Sequence, residues 1–248
     1  MHRLLWMGTL ALALLFVSAS DSRAAAYGNF PGSTVSFLDV QDLNGLYGAP
    51  TASADSLDFD PSTFEAECSL SPGCPPTPDA ATDTLTLQID ANPGYFVEQI
   101  DLSEAGDTPL SSFLNAYGAT SVIGNVFVDV LEIDGNSVNN VNGNQSMIFT
   151  SDGTFNTNEE GNGTHLWSGY LLVDVDAIIA AAALTGKATL VELSLTNTVD
   201  AFAESGAAAR IEKKDIDGLA ITVIPEPGTV FLMGLGLLGL ASRRVTAR

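Results

Sequence analysis

The sequence is poor in basic residues, histidine and cysteine. Its 248 residues include nine Lys or Arg, two His and two Cys, against 30 Asp or Glu, and the formal net charge is −21. Such a chain repels the phosphates of nucleic acids and anionic membrane surfaces, so we predict no nucleic-acid partner. Ser-His-Asp and Cys-His sites need a histidine base, and only His165 lies away from the N-terminus. With no G-x-S-x-G motif either, we predict that the protein is not an enzyme and has no catalytic residues.

Two apolar runs lie at the ends of the chain. The first, Leu4–Val17, follows a charged start with no acid and precedes a small-residue stretch that ends at Ala26. This is the form of a secretory signal peptide. At about 1.5 Å per residue the run reaches only about 21 Å, short of the ~30 Å hydrocarbon core. We predict a signal peptide over residues 1–26, with cleavage after Ala24 or after Ala26.

The second apolar run follows a proline-rich tripeptide. Pro225-Glu226-Pro227 precedes the apolar residues 228–241, and Arg243 and Arg244 come directly after them. The run has no polar face, which disfavours a surface helix of a folded domain. Arginines on the C-terminal side alone hold that end in the cytoplasm and the domain outside. We predict that residues 228–241 form a hydrophobic segment that is marginal for a membrane span, with the domain on the outer side of the membrane.

This order of tripeptide, apolar helix and arginines resembles the PEP-CTERM sorting signal of Gram-negative bacteria. The resemblance covers residues 225–248 only. It implies that residues 225–248 are a sorting signal whose hydrophobic helix engages the inner membrane transiently. It also implies recognition by an exosortase, a membrane-embedded cysteine transpeptidase that removes the tail near the tripeptide. It also implies a bacterium that makes extracellular polysaccharide and sends this protein to the cell surface, outer membrane or matrix. Residues 92–107 and 211–215 resemble segments of uncharacterised proteins that carry the same signal. Those proteins are expected to have a β-sandwich fold and have no known activity.

The residues between the two signals form one acidic segment of single-domain size. Residues 27–224 hold four of the nine basic residues and 28 of the 30 acids, which gives a formal charge of −24. The charges are spread out with no long acidic run, so a disordered acidic tail is not expected.

The only two cysteines, Cys68 and Cys74, lie close together in this exported segment. An even count, close spacing and an oxidising compartment favour a disulfide that closes a surface loop. A zinc site is the alternative, but the segment offers only one histidine and no second cysteine pair.

Short β-runs separated by turn residues make up the segment. Residues 84–90 and 95–102 are predicted to pair as a hairpin across Asn92-Pro93-Gly94. Residues 122–133 are predicted to form a second hairpin with 147–150. The one predicted helix spans 177–184, with Asp176 as its cap. Other strands are expected at 34–40, 165–175, 190–195, 207–213 and 219–224. The pattern predicts an all-β single domain, an antiparallel β-sandwich or a jelly roll.

Acid pairs with D-x-D spacing are the best candidates for metal ligands. They are Asp58 with Asp60, Asp174 with Asp176, and Asp215 with Asp217. This spacing puts both carboxylates on one side of an extended chain, and calcium binds six to eight oxygen atoms. No loop matches the calcium-binding EF-hand pattern, so calcium stays a possibility and no other cofactor is predicted.

Three aromatic residues are candidates for a sugar-binding platform: Trp167 and Tyr170 near an Asn-rich loop, and Tyr95. Aromatic residues in strands also serve as core, and that alternative stays open. Paired carboxylates could hydrolyse glycosides, but among 28 acids such a pair arises by chance. The sequence therefore predicts a structural or interaction protein of the cell surface or biofilm matrix, processed by exosortase. A carbohydrate-binding module for extracellular polysaccharide is the alternative, followed by a secreted hydrolase.

Overall fold

Two antiparallel β-sheets account for most of the molecule. The computed structural model describes residues 24–69, 74, 78–214 and 218–227. The predicted sorting helix and nearly all of the predicted signal peptide lie outside the described residues. In this part of the chain no helix is both long and apolar enough to span a membrane. The prediction of an all-β antiparallel sandwich is confirmed.

The strands are numbered β1–β16 in chain order. They span Ala25–Pro31, Val35–Asp42, Thr51–Ser53, Ser56–Phe59, Glu65–Cys68, Asp79–Ala91, Tyr95–Ser112, Gly118–Ile133, Asn136–Ser137, Asn142–Ser146, Ile148–Phe149, Thr154–Asn156, Gly163–Asp174, Ala188–Ala203, Ala207–Lys213 and Leu219–Pro227. One short helix, α1, spans Val175–Ala181, and a 3₁₀ turn spans Thr150–Gly153.

The first sheet has the order β1-β2-β6-β14-β8-β10, with β9 and β12 also paired to β8. Its central strand β14 is 16 residues long, and from Val191 to Ala203 buried and half-buried positions alternate strictly. The buried phase is mostly aliphatic and faces the core. The outward phase carries threonine, whose hydroxyls bond across the sheet: Thr84 to Thr196 and Thr82 to Thr198, both at 2.9 Å. Such cross-strand pairs add to the stability of the sheet.

The second sheet has the order β11-β13-β7-β16-β4-β3, with β15 paired to both β7 and β5. Strand β7 has 18 residues and is the spine of this sheet. Its first part pairs with β16, its last part pairs with β15, and β13 runs along its other edge from Gln99 to Leu110.

Two predicted hairpins are wrong. The turn at Asn92-Pro93-Gly94 carries the chain from β6 in the first sheet to β7 in the second, so the two strands do not pair. Strand β8 pairs with β9 and β10, whereas residues 148–149 form β11 of the other sheet. A tight turn permits a hairpin but also permits a crossing between sheets, and packing of the two apolar faces decides between them.

The helix begins two residues earlier than predicted. Asp174 is its N-cap, and its carboxylate accepts a 2.8 Å hydrogen bond from the backbone N–H of Ala177. Asp176 instead lies in the first turn and pairs with Lys187. The disulfide joins Cys68 at the end of β5 to Cys74, with a Cα–Cα distance of 5.5 Å.

Two glycines on the inner face of the second sheet are covered by aromatic rings. A Cβ at Gly106 would lie 2.1 Å from the Trp167 ring, and one at Gly169 would lie 2.3 Å from the Phe149 ring. Each ring belongs to the residue directly opposite on the neighbouring strand. Gly106 also pairs with Lys213 of β15, so its missing side chain leaves room for an indole and a lysine side by side.

Replacement of Gly106 by alanine should therefore destabilise the fold. Overpacking a core costs about 1–3 kcal/mol, and we expect a loss at the upper end because backbone as well as the indole would have to move. Gly118→Ala is the matched control, since its nearest neighbours would lie 3.4 Å away. Denaturant unfolding measures both variants, and equal midpoints would contradict this account.

A carboxylate ties two turns together at one end of the sandwich. Asp55 Oδ1 accepts hydrogen bonds from the backbone N–H groups of Thr34 (2.8 Å) and Val35 (3.3 Å), and Oδ2 accepts one from the Thr34 hydroxyl (2.8 Å). Partial burial would raise the pKa of Asp55, but these hydrogen bonds outweigh it and lower the pKa below its usual value.

The stabilisation from Asp55 should depend on pH. A carboxyl with a lowered folded-state pKa contributes fully above its unfolded pKa of about 3.9, and the contribution is lost as pH falls through the folded pKa. We expect Asp55→Asn to cost about 1 kcal/mol at pH 7 and much less near pH 2. Denaturation at both pH values measures this, with Asp39→Asn as the control at an exposed position of β2. The same cost at both values would contradict it.

Candidate functional site

Four polar side chains are buried together between the two sheets. Glu104 of β7 and Lys213 of β15 come from the second sheet, Asn197 of β14 comes from the first, and Tyr47 lies in the loop after β2. The side chains of Glu104 and Lys213 have no exposed surface, and Asn197 and Tyr47 are equally buried. We call these four residues the inter-sheet cluster.

Glu104 is the hub of the inter-sheet cluster. Its Oε2 lies 2.8 Å from Lys213 Nζ and accepts a 3.1 Å hydrogen bond from Asn197 Nδ2. The Tyr47 hydroxyl donates a 2.7 Å hydrogen bond to Asn197 Oδ1. An amine, a carboxylate and a primary amide therefore meet at a single oxygen atom, and a hydroxyl holds the amide carbonyl.

Aromatic rings enclose the lysine. Its Nζ lies 5.3 Å from the centre of the Phe64 ring and 5.8 Å from those of Tyr47 and Trp167. Burial lowers the pKa of Lys213, and the opposing charge of Glu104 offsets only part of this effect. Burial and then the Glu104 charge raise the pKa of Tyr47 well above its usual value, which keeps the phenol protonated.

The inter-sheet cluster is incompletely satisfied as an ion pair. An ammonium has three N–H donors. Among the described residues Lys213 Nζ has Glu104 as its ion-pair partner but makes no hydrogen bond of good geometry. Glu104 Oε1 is also buried without a hydrogen-bond partner there. Desolvation of a buried ion pair can exceed its Coulombic attraction unless the remaining donors and acceptors are satisfied.

The other basic residues of the domain are all engaged at its surface. Lys187 pairs with Glu98 and Asp176, Arg210 pairs with Glu65 and Glu212, and Lys214 pairs with Asp107. With Lys213 in the core, each of the four Lys and Arg residues between 27 and 224 has a carboxylate partner. The outward charge is therefore almost entirely acidic.

The predicted aromatic platform is partly wrong. Trp167 is 2% exposed and belongs to the core, where it lies over Gly106. Tyr170, on the opposite face of β13, is 48% exposed, and Tyr95 at the start of β7 is half-buried. Three exposed aliphatic residues share this outer face with Tyr170: Ile148, Leu166 and Leu172. We call these four residues the β13 patch.

The D-x-D pairs do not form a metal centre in the part of the chain that the structure describes. Asp174 caps α1 and Asp176 pairs with Lys187, so their carboxylates serve different partners. Asp215 and Asp217 lie outside the described residues. No group of three or more His, Cys, Asp or Glu side chains converges among residues 24–69, 74, 78–214 and 218–227.

Several pairs of acids do lie close together among the described residues, including Asp107 and Glu212 across β7 and β15. Asp42 and Asp83 are buried and bind the loop after β2, because each accepts backbone N–H bonds from residues 44–47. Asp129 faces Glu192 across β8 and β14, and partial burial and then the Glu192 charge raise the pKa of Asp129. A cavity of about 300 Å³ on the same face includes Glu192 in its lining but not Asp129.

The sorting tripeptide continues the last strand of the domain. Strand β16 runs to Pro227, and the backbone of Pro225, Glu226 and Pro227 lies opposite residues 95–97 of β7. The register shifts between Ile224 and Pro225, at the predicted domain boundary. At the other end β1 begins at Ala25, so cleavage after Ala24 would leave this strand whole and cleavage after Ala26 would shorten it. Both boundaries stay predictions.

The last strand of the sandwich domain leads directly into an apolar sequence that is followed by arginines. This is the organisation of an exported protein with a C-terminal sorting signal. The chain is a PEP-CTERM domain-containing protein, because its residues 223–245 match the model of the PEP-CTERM protein-sorting motif. The motif implies export to the envelope of a Gram-negative bacterium and processing by an exosortase.

Solved structures resemble the chain only distantly. The enzymatically active domain of tailspike protein 4 of bacteriophage CBA120 is 14% identical, with a TM-score of 0.19, over 82% of this chain and 20% of that one. TmCBM61 in complex with β-1,4-galactotriose is 9% identical, with a TM-score of 0.20, over 83% and 90%. An infectious bursal disease virus structure, Gt strain, is 10% identical, with a TM-score of 0.19, over 78% and 45%. These likenesses carry no argument about function. No curated protein matches the chain.

The inter-sheet cluster was missed from the sequence, although a signal for it exists. Lys213 falls on the same phase as Ala207, Ala209 and Ile211, and a strand with period two buries all four. Asn197 and Glu104 likewise occupy the buried phase of β14 and β7. A search for polar residues at the buried, otherwise apolar positions of a strand would identify Lys213, Asn197 and Glu104.

Proposed function

We propose that the mature domain is a structural or interaction protein of the cell surface or biofilm matrix and turns over no substrate. The match of residues 223–245 to the PEP-CTERM sorting motif carries this proposal. According to this proposal, exosortase releases the domain from its tail, and the domain then remains in the outer envelope or among the extracellular polysaccharide.

The surface of the domain supports this assignment. All four of its basic side chains are held by carboxylates, so the solvent meets a strongly acidic surface that keeps the protein soluble and repels other anions. The outward threonine ladder of the first sheet is polar and satisfied within itself. Such surfaces suit a hydrated spacer or scaffold between other components.

Removal of the sorting signal should relocate the protein. Deletion of Pro225–Arg248 leaves Leu219–Ile224 in place between its neighbours, so the domain should fold but enter the soluble periplasm or culture fluid. Cell fractionation with immunoblotting measures the shift. Deletion from Gly228, which keeps all of β16, is the matched control for folding and should relocate the protein equally. Unchanged surface or matrix association of both variants would contradict the proposal.

The β13 patch favours a second candidate function, binding of extracellular polysaccharide. Tyr170 is 48% exposed beside Leu166 and Leu172, which are 74% and 38% exposed. Sugar rings can stack on an exposed aromatic face flanked by apolar groups, whereas the buried Trp167 can offer none.

If the β13 patch binds polysaccharide, Tyr170→Ala should abolish retention of the domain on an affinity gel made with that polysaccharide. Phe127→Ala, which removes a 41% exposed aromatic ring from the other sheet, is the matched control and should be retained as wild type is. Absence of any retention of the wild-type protein would exclude this function while leaving the surface location intact.

A further inference from the structure

The inter-sheet cluster has the parts of a reaction between its own side chains. We propose that Lys213 and Asn197 become joined by an intramolecular isopeptide bond, formed once per molecule with Glu104 as proton carrier and with release of ammonia. The bond would run from Lys213 Nζ to Asn197 Cγ.

The nucleophile is the Lys213 amine. An ammonium ion cannot attack, but burial favours the neutral amine, and Glu104 Oε2 lies 2.8 Å away to take the proton. The rings of Tyr47, Phe64 and Trp167 surround the amine, and this apolar setting favours its neutral form. Proton transfer turns the ion pair into a neutral amine beside a neutral carboxyl group.

The electrophile is the side-chain amide of Asn197. The Tyr47 hydroxyl donates to Oδ1 at 2.7 Å, so it withdraws electron density from Cγ and stabilises the negative oxygen that forms on attack. Because Tyr47 has a raised pKa, its hydroxyl stays protonated. Both Lys213 Nζ and Asn197 Nδ2 contact Glu104 Oε2, so the attacking and leaving nitrogens are neighbours on one carboxyl oxygen.

The leaving group is ammonia. Glu104 gives the proton taken from Lys213 to Asn197 Nδ2, the Cγ–Nδ2 bond breaks, and the new amide nitrogen passes its surplus proton back to Glu104. Counted from its ammonium form, Lys213 loses two protons in total; one leaves in ammonia and one stays on Glu104. No oxidant, reductant or further reactant is needed.

The product suits its surroundings better than the reactants do. The reaction removes both buried charges, which are costly in an apolar setting. The three N–H donors of an ammonium are replaced by the single N–H of an amide, and Glu104 becomes a neutral acid. The bond would also fasten β15 of one sheet to β14 of the other, a covalent clamp suited to a protein exposed outside the cell.

Peptide mapping of the exported protein tests the proposal independently of where the two signals are cleaved. Trypsin should release Ala188–Arg210 joined to Ile211–Lys214, at a mass about 17 Da below the sum of the two peptides because one ammonia is lost. Cleavage after Lys213 should be absent. Fragmentation must place the link between Lys213 and Asn197, which separates it from cyclisation of asparagine alone.

Three variants assign the roles. Glu104→Gln should abolish the linked peptide. Tyr47→Phe should keep the fold and slow cross-linking by about 100-fold, the usual cost of one lost oxyanion donor, followed as linked peptide against time after refolding. Tyr27→Phe, which removes a hydroxyl bonded to Asp42 instead, should cross-link as wild type does.

Circular dichroism of each variant establishes that it is folded. Folded wild-type protein that yields only separate Ala188–Arg210 and Ile211–Lys213 peptides would overturn the proposal. A linked peptide formed at the wild-type rate by Glu104→Gln would overturn the role of Glu104.

Discussion

The contact between Glu104 and Lys213 is the constraint around which the two sheets are arranged. A buried carboxylate and a buried amine are tolerable only next to each other, so their strands must bring them together. Because side chains alternate with period two, a slip of one residue in β7 or β15 would turn one of the pair outward and leave the other uncompensated. Asn197 must also face Glu104, so the register of β14 in the opposite sheet is constrained in the same way. The inter-sheet cluster therefore specifies both register and the facing of the sheets.

The aromatic and glycine residues around the inter-sheet cluster follow from this constraint. A lysine amine in the core needs walls that exclude water, and the rings of Tyr47, Phe64 and Trp167 supply them. The indole fits only because the opposite residue is Gly106, which pairs with Trp167 on one side and Lys213 on the other. Outside the core, the remaining basic residues balance only a few acids. The domain thus places one cation in its core, paired with Glu104, and leaves its surface acidic.

Local sequence predicted nine of the sixteen strands, mostly the longer ones, and predicted their partners poorly. Alternation located parts of β6 and β14, because one face of each lies against the core. The turn at Asn92 gave no information on whether β7 returns to β6 or crosses to the other sheet, since its geometry suits either course. Trp167 and Tyr170 are both aromatic residues of one strand, and only their opposite phases separate core from surface. In the composition Lys213 is only one more positive charge. The alternation of side chains along β15, in contrast, shows which face of the strand it occupies.

The placement of the sorting signal on β16 separates processing from the core. Leu219–Thr222 lies between β7 and β4, whereas the ladder to β7 alone continues to Pro227. Leu219 pairs with Glu104, and at about 3.3 Å per residue Pro225 lies roughly 20 Å farther along the strand. A transpeptidase could therefore lift the tripeptide from the edge of β7 without disturbing the inter-sheet cluster. The register shift after Ile224 lies between the tripeptide and the part of β16 that is paired on both sides. Removal of the tripeptide would therefore leave the doubly paired part of the strand intact.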